Sequence, residues 1–359
     1  SIRAQENAYP LQMSAGKKSH RPEVPGVNGL VTAGHPLASM AGLRILMSGG
    51  NAIDAAVAVL ATLNVVRPQM SGAGGNGFLT YFDESSGAVR SLTAAGAAPE
   101  ALVAGDRLAE ELNKGIYAGV VPGLLGGWVS MLKEFGTMSL SEVLEPAIEY
   151  ATDGHPIEAS VVQAIASQED LFRQYPTSAR MFLPEDRVPE VGELFRMPDL
   201  ASTFRKLIEE EERVLQQGRS RNEALDAAFS RFYNGDIAEE FVQFYREEGG
   251  LFTEEDFANF NPIWDDPIHI NYRGYDIYSS PPTSRGGLEV LMQLKLVERF
   301  DLAALGSGSP LLTHLLAEAI QVAKSDIYQY VADPKKFSVP TEGMLEESYL
   351  SLRSGLISE

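Results

Sequence analysis

Four glycines fall within six residues in the run Pro68-Gln69-Met70-Ser71-Gly72-Ala73-Gly74-Gly75-Asn76-Gly77-Phe78. A backbone this bare can approach another group closely. The spacing Gly72, Gly74, Gly77 satisfies G-x-G-x-x-G, a phosphate-binding arrangement only where a strand precedes it and a helix N-terminus follows. Here the order is reversed. Gly49-Gly50-Asn51-Ala52-Ile53-Asp54 and the apolar residues after it predict a buried helix ahead of the loop, with Asn51 as N-cap. Behind the loop, Phe78 to Asp83, a turn at Glu84 to Gly87, and Ala88 to Leu92 predict a hairpin. Without a helix N-terminus the nucleotide reading fails, and close packing against a strand or ligand fits better.

Other polar residues have plainer explanations. The histidines His20, His35, His155, His269 and His314 lack i, i+4 or H-E-x-x-H spacing, so no metal site is expected. His35 is expected to hydrogen-bond backbone at a helix start, and His314 with Glu318 to form an i, i+4 pair. Asp54, inside an apolar helix, must find hydrogen-bond donors and is expected to tie down a neighbouring loop. The run Glu209 to Glu212 reads as a solvated helix face. Ser1 is read as a chain start rather than a nucleophile.

The chain has 359 residues, 44% of them hydrophobic, enough for a large core. Lacking a linker-like stretch or a repeat, it reads as a single domain over 1–359, with 1–29 a poorly defined N-terminal extension. A net charge of −20 argues against nucleic acid and anionic membrane surfaces as partners. With no cysteine, disulfides and thiol catalysis are excluded. No apolar run is long enough to span a membrane. The first 29 residues lack an apolar signal core, so either there is no secretory signal or it has been removed, and a cytoplasmic location is the expectation.

Helices are predicted at 123–134, 141–152, 157–167, 200–217, 221–231, 237–248, 288–300 and 311–331. Besides the first hairpin, strands are predicted at Gly29 to Thr32, Ile268 to Tyr272 and Tyr275 to Ser279, the last two joined by a turn at Arg273-Gly274. The pattern is α+β: helices over antiparallel hairpins.

Several of these segments resemble the gamma-glutamyltranspeptidase family. The similarity runs through His35-Pro36-Leu37-Ala38, Gly49 to Ala58, Pro68-Gln69, Gly74 to Phe78, Val121-Pro122-Gly123, Phe135-Gly136-Thr137, Ala151 to Gly154, Phe232 to Ala238, Phe252 to Phe257, Pro281 to Gly287, His314 to Ala319 and Asp333-Pro334. It implies an N-terminal nucleophile hydrolase, an αββα sandwich made as one precursor that cleaves itself autocatalytically. This chain would be the large subunit. The nucleophile, a threonine opening the small subunit, would use its own amino group as base. No catalytic residue would then lie in this chain, whose end matches that of the large subunit's last helix. The partners implied are the small subunit, in a heterodimer or a dimer of heterodimers, and a small gamma-glutamyl or other amide; no metal or organic cofactor is required.

One segment departs from the family pattern. Aligned on Ala98-Pro99, the arginine that grips the substrate α-carboxylate in glutathione-type members falls on Ala95, and that of more distant relatives on Ala97. Arg285 or Arg90 is expected to replace this clamp. Without a substitute, two alternatives arise: an acylase for another acyl group, such as a beta-lactam side chain or a small dicarboxylic amide, or a catalytically silent binding homologue.

Overall fold

The computed structural model describes residues 24–103, 105 and 109–358; Ser1 and His20 lie outside them, as does most of the predicted extension. In chain order the elements are α1 (Pro36–Met47), α2 (Ala52–Val66), β1 (Gly77–Asp83), β2 (Ala88–Ala94), α3 (Leu124–Glu134), α4 (Leu140–Asp153), β3 (His155–Pro156), α5 (Ala159–Ser167), α6 (Glu169–Gln174), α7 (Pro176–Phe182), β4 (Leu194–Phe195), α8 (Pro198–Gln216), α9 (Arg221–Asn234), α10 (Asp236–Glu247), α11 (Glu254–Ala258), β5 (Ile263–Asp265), β6 (Ile268–Tyr272), β7 (Tyr275–Ser279), α12 (Arg285–Val297), α13 (Leu302–Leu305), α14 (Pro310–Tyr330), α15 (Thr341–Leu345) and α16 (Glu347–Ser354).

Helix α2 forms where the alanine-rich pattern requires it. Asn51 caps it in a reciprocal box: its side chain accepts from Ile53 N and Asp54 N, and the Asp54 carboxylate accepts from Asn51 N at 2.9 Å. Asp54 is fully buried and ties down a loop, as its position in an apolar helix requires. It accepts from Thr137 N at 2.9 Å, Thr137 Oγ1 at 2.7 Å and Met138 N at 3.1 Å. Asn51 Nδ2 adds a bond to Phe135 O at 2.6 Å. The start of α2 is thus bolted to the turn between α3 and α4.

The predicted hairpin is β1–β2, and β5 extends it into a three-stranded antiparallel sheet ordered β1-β2-β5. Leu79, Tyr81, Leu92 and Trp264 face a first core shared with α2, α3, α4, α8 and α9, built around Trp128, Leu132, Leu144, Phe204 and Tyr233. On the other face Phe78, Phe82 and Ile263 remain exposed. A second core joins Ile268 and Ile270 of β6 to Leu288, Leu291 and Leu296 of α12, Leu315 and Ala319 of α14, and Leu350 of α16.

Three local expectations change. Gly29 to Thr32 has no strand geometry, because a ladder needs a partner and none of the described residues supplies one. Glu211 is no solvated residue: it is 1% exposed, and both carboxylate oxygens accept from Leu140 N at 3.0 Å, closing the N-terminus of α4. Burial pushes its carboxyl up, against the backbone N–H groups of Leu140 and Ser141. His314 pairs with the Ser358 carbonyl at 2.9 Å rather than with Glu318.

Replacing Asp54 by Ala strands four donors, Met138 N buried and the other three partly buried, at about 1–3 kcal/mol for a buried donor left unpaired. Urea unfolding of Asp54→Ala should show a loss of about 3 kcal/mol or more, and Thr137→Val, which removes one hydroxyl, about 1 kcal/mol. Equal losses would mean that the carboxylate is not the anchor.

Candidate functional site: the glycine loop and its floor

The far end of α2 runs straight into the glycine loop. Met70 N and Ser71 N both donate to Arg67 O at 3.0 Å, Ser71 Oγ donates to Asn64 Oδ1 at 2.8 Å, and Gly75 N closes back on Gly72 O at 2.8 Å. Gly123 N and Leu124 N, at the start of α3, both donate to Gly75 O at 2.9 Å. The helix N-terminus nearest the loop is therefore filled by a carbonyl, which removes the anion-binding capacity that a nucleotide phosphate would use.

Two further segments are stitched to the loop. Gly96 N donates to Asn76 Oδ1 at 3.1 Å, and Val121 N to Ala97 O at 2.9 Å. Tyr233 Oη donates to Pro122 O at 2.6 Å and accepts from Gly126 N at 3.0 Å; burial raises its pKa, so it remains a neutral strut. Glycine is needed at the crossing, where a Cβ on Gly96 would lie 1.8 Å from Val121 O and one on Gly123 2.3 Å from Ala94 O. Ala95, half-buried, and Ala97, exposed, flank that crossing.

A half-exposed polar network holds the loop's entrance. Arg67 Nε pairs with Glu158 Oε1 at 3.1 Å and Arg67 Nη1 donates to Gly34 O at 2.9 Å. Ser160 Oγ donates to Glu158 Oε1 at 2.6 Å and accepts from Gln69 Nε2 at 3.3 Å. His35 bonds backbone as expected: its Nδ1 accepts from Leu37 N at 3.1 Å, leaving Nε2 4.0 Å from Glu158. His155, 2% exposed, lies close by, its Nδ1 without a partner among the described residues. Burial, then the neighbouring His35, brings its pKa down to about 4, against the attraction of Glu158.

The two arginines fall elsewhere. Arg90 is exposed on β2 opposite Tyr81, and five strand residues place it roughly 17 Å from Ala95. Arg285 is exposed at the first turn of α12, its guanidinium 5.9 Å over the Tyr328 ring. Among the described residues no hydrogen bond or ion pair ties Arg285 to Ala95 or Ala97. A cleft of about 330 Å³ between α1 and α4 is lined by Arg44, Met138, Glu142 and Glu145; Arg44 is committed there to Glu145 and Glu149, and the cleft does not include the loop. No group of three or more His, Asp or Glu suited to a metal occurs among the described residues, and no helix there is long and apolar enough to cross a membrane. Asn64, Arg67, Glu158 and Tyr233 escaped the sequence reading because nothing in their spacing announces contacts made across up to 111 residues.

Comparison with solved structures defines the class. The crystal structure of Helicobacter pylori gamma-glutamyltranspeptidase matches with a TM-score of 0.84 at 31% identity, covering 94% of each chain. The chain therefore has the α+β fold of the N-terminal nucleophile hydrolases.

It belongs to the gamma-glutamyltranspeptidase family, whose profile matches residues 38–359. A glutathione hydrolase proenzyme of Bacillus subtilis strain 168 is 36% identical over 93% of this chain and 55% of its own length. The acylase ACY 1 proenzyme of Pseudomonas sp. strain V22 is 33% identical over 93% of this chain and 59% of its own. The chain thus spans little more than half the length of these relatives.

For His155 the folded state binds fewer protons than the unfolded chain between pH 6.5 and about 4. Its contribution to stability is therefore full above pH 6.5 and lost as pH falls toward about 4. Thermal melts across this range should show a steeper decline for the wild type than for His155→Phe; parallel curves would exclude this origin.

Proposed function

We propose that this chain is the large subunit, a single domain over 1–359, of an amide-cleaving acyl-transfer enzyme. A smaller chain cut from the same precursor completes it, as a heterodimer or a dimer of heterodimers. The observation that carries the reading is the sheet that continues from the glycine loop. Its inner face is packed, while Phe78, Phe82 and Ile263 leave the outer face apolar and bare, a surface suited to a second sheet. The name proenzyme carried by the relatives supports the same division.

In this mechanism the partner's N-terminal threonine supplies its hydroxyl oxygen as nucleophile and its amino group as base. The oxygen bonds to the amide carbon, the amine leaves with the hydroxyl proton, and an ester remains. Water or an amine then adds to the ester carbon, releasing the acyl group and returning the proton to threonine. The floor described above would lie under the acyl chain.

The first reading of the acyl donor is a gamma-glutamyl amide of the glutathione type, with Arg285 gripping the α-carboxylate. Arg285 is the arginine to test, since Arg90 lies far along β2 from Ala95. The second reading, an acylase for another acyl group, is favoured by the methyl groups of Ala95 and Ala97 and by the likeness to an acylase.

The test is p-nitroaniline release from gamma-glutamyl-p-nitroanilide by the processed two-chain protein, with and without glycylglycine. Turnover is expected, with Arg285→Ala raising KM about tenfold or more, as loss of a charge-assisted pair predicts. An unchanged KM removes Arg285. Turnover of glutaryl but not gamma-glutamyl amides selects the acylase reading, and release from neither by a cleaved protein overturns both.

A further inference from the structure

Three segments without one charged side chain meet at the glycine loop: residues 68–82, 91–99 and 115–132. They are joined through Gly96 N to Asn76 Oδ1, Val121 N to Ala97 O, and Gly123 N and Leu124 N to Gly75 O. In a chain that is 22% charged with a net charge of −20, this is a neutral island.

Asn76 is exposed on that island, and its carboxamide has a defined orientation. Gly96 N–H, a donor, can only meet the amide oxygen, so Oδ1 is turned toward the floor. Nδ2, with two protons to give, then faces away from Gly96, and no described residue accepts from it. The loop beside it is open. A Cβ on Gly72 or Gly74 would meet nothing within 4 Å, and neither residue has a left-handed φ. Within this chain, neither backbone conformation nor packing requires glycine at these two positions. Their small size leaves room for something that approaches the backbone from outside, next to an amide donor with no protein acceptor.

We propose that Asn76 is a specificity-determining residue, its Nδ2 donating to an acceptor oxygen on the acyl chain of the amide substrate as that chain lies over Gly72, Gly74 and the methyl groups of Ala95 and Ala97. The proposal rests on the acyl-transfer reading above. The acceptor oxygen belongs either to a carboxylate or to an uncharged amide; the donor chemistry is the same and the substrates separate the two. The loop is fit for this role because Gly75 O, Gly75 N, Ser71 Oγ and Asn76 Oδ1 are all engaged within the chain, so the amide is oriented before a ligand arrives.

One isosteric substitution separates anchoring from recognition. Asn76→Asp keeps an oxygen for Gly96 N–H but replaces the outward donor with an acceptor that carries negative charge; Asn76→Ala removes both. Kinetics with gamma-glutamyl-p-nitroanilide and glutaramoyl-p-nitroanilide, together with thermal shifts in L-glutamate and glutaramate, read the result on the processed two-chain protein. Asn76→Asp should leave the melting temperature of the free protein unchanged and raise KM about tenfold or more with a smaller effect on kcat. A larger rise for the gamma-glutamyl donor identifies a carboxylate as the acceptor, and a larger rise for the glutaramoyl donor an uncharged amide oxygen. Asn76→Ala should raise KM and also lower the melting temperature. Wild-type KM for both donors in Asn76→Asp overturns the proposal and leaves the acyl-transfer reading standing. A cleaved wild type that turns over neither donor and is stabilised by neither ligand overturns both together.

Discussion

The rest of the fold hangs on one buried carboxylate. Asp54 gathers N–H and hydroxyl donors from Asn51, Thr137 and Met138, and in doing so it fixes the start of α2 against the turn that joins α3 to α4. A buried charge is tolerable only when donors surround it, so the two segments have one low-energy arrangement rather than many. From that point α2 runs to the glycine loop, and α3, which starts on Gly75 O, returns from the loop to the same turn. The loop is the far corner of a triangle whose near corner is Asp54. Glu211 repeats the device at the N-terminus of α4. Two acidic side chains thus position three helices by satisfying backbone groups that would otherwise be stranded.

This arrangement explains how the glycine-rich loop is held by groups of its own chain. Its carbonyl, hydroxyl and amide groups are spent on α2, on α3 and on the segment from Ala94 to Ala97, and its entrance is clamped by the network of Arg67, Glu158, Ser160 and Gln69. The resulting surface is neutral and small-featured, with Asn76 as its polar group, in a chain of strongly negative net charge.

The hydrophobic surfaces divide into two buried cores and one exposed sheet face. One core lies behind β1, β2 and β5 and another behind β6 and α12. The sheet's outer face keeps Phe78 and Phe82 in solvent. Apolar groups at this density on one side of a sheet cost free energy until something covers them. The proposed small subunit would meet that need with a sheet of its own, in keeping with relatives of which this chain spans little more than half the length.

Local chemistry was legible in the sequence: Asn51 as a cap, Asp54 as an anchor, the hairpin from Phe78 to Leu92, the long helices and the resemblance to a family each follow from residues near one another in the chain. What the sequence by itself determined is therefore the long helices, the two hairpins, the family and the need of Asp54 for donors. The tertiary structure alone decided which donors those are, that Glu211 leaves its acidic run to cap another helix, that Gly29 to Thr32 stays unpaired, that His314 reaches Ser358, and that Asn76 is turned by Gly96. Each of these depends on groups brought together across distances in sequence that propensity and periodicity do not encode. Burial then sets their energies, since an unpaired polar group is nearly free in water and costly away from it.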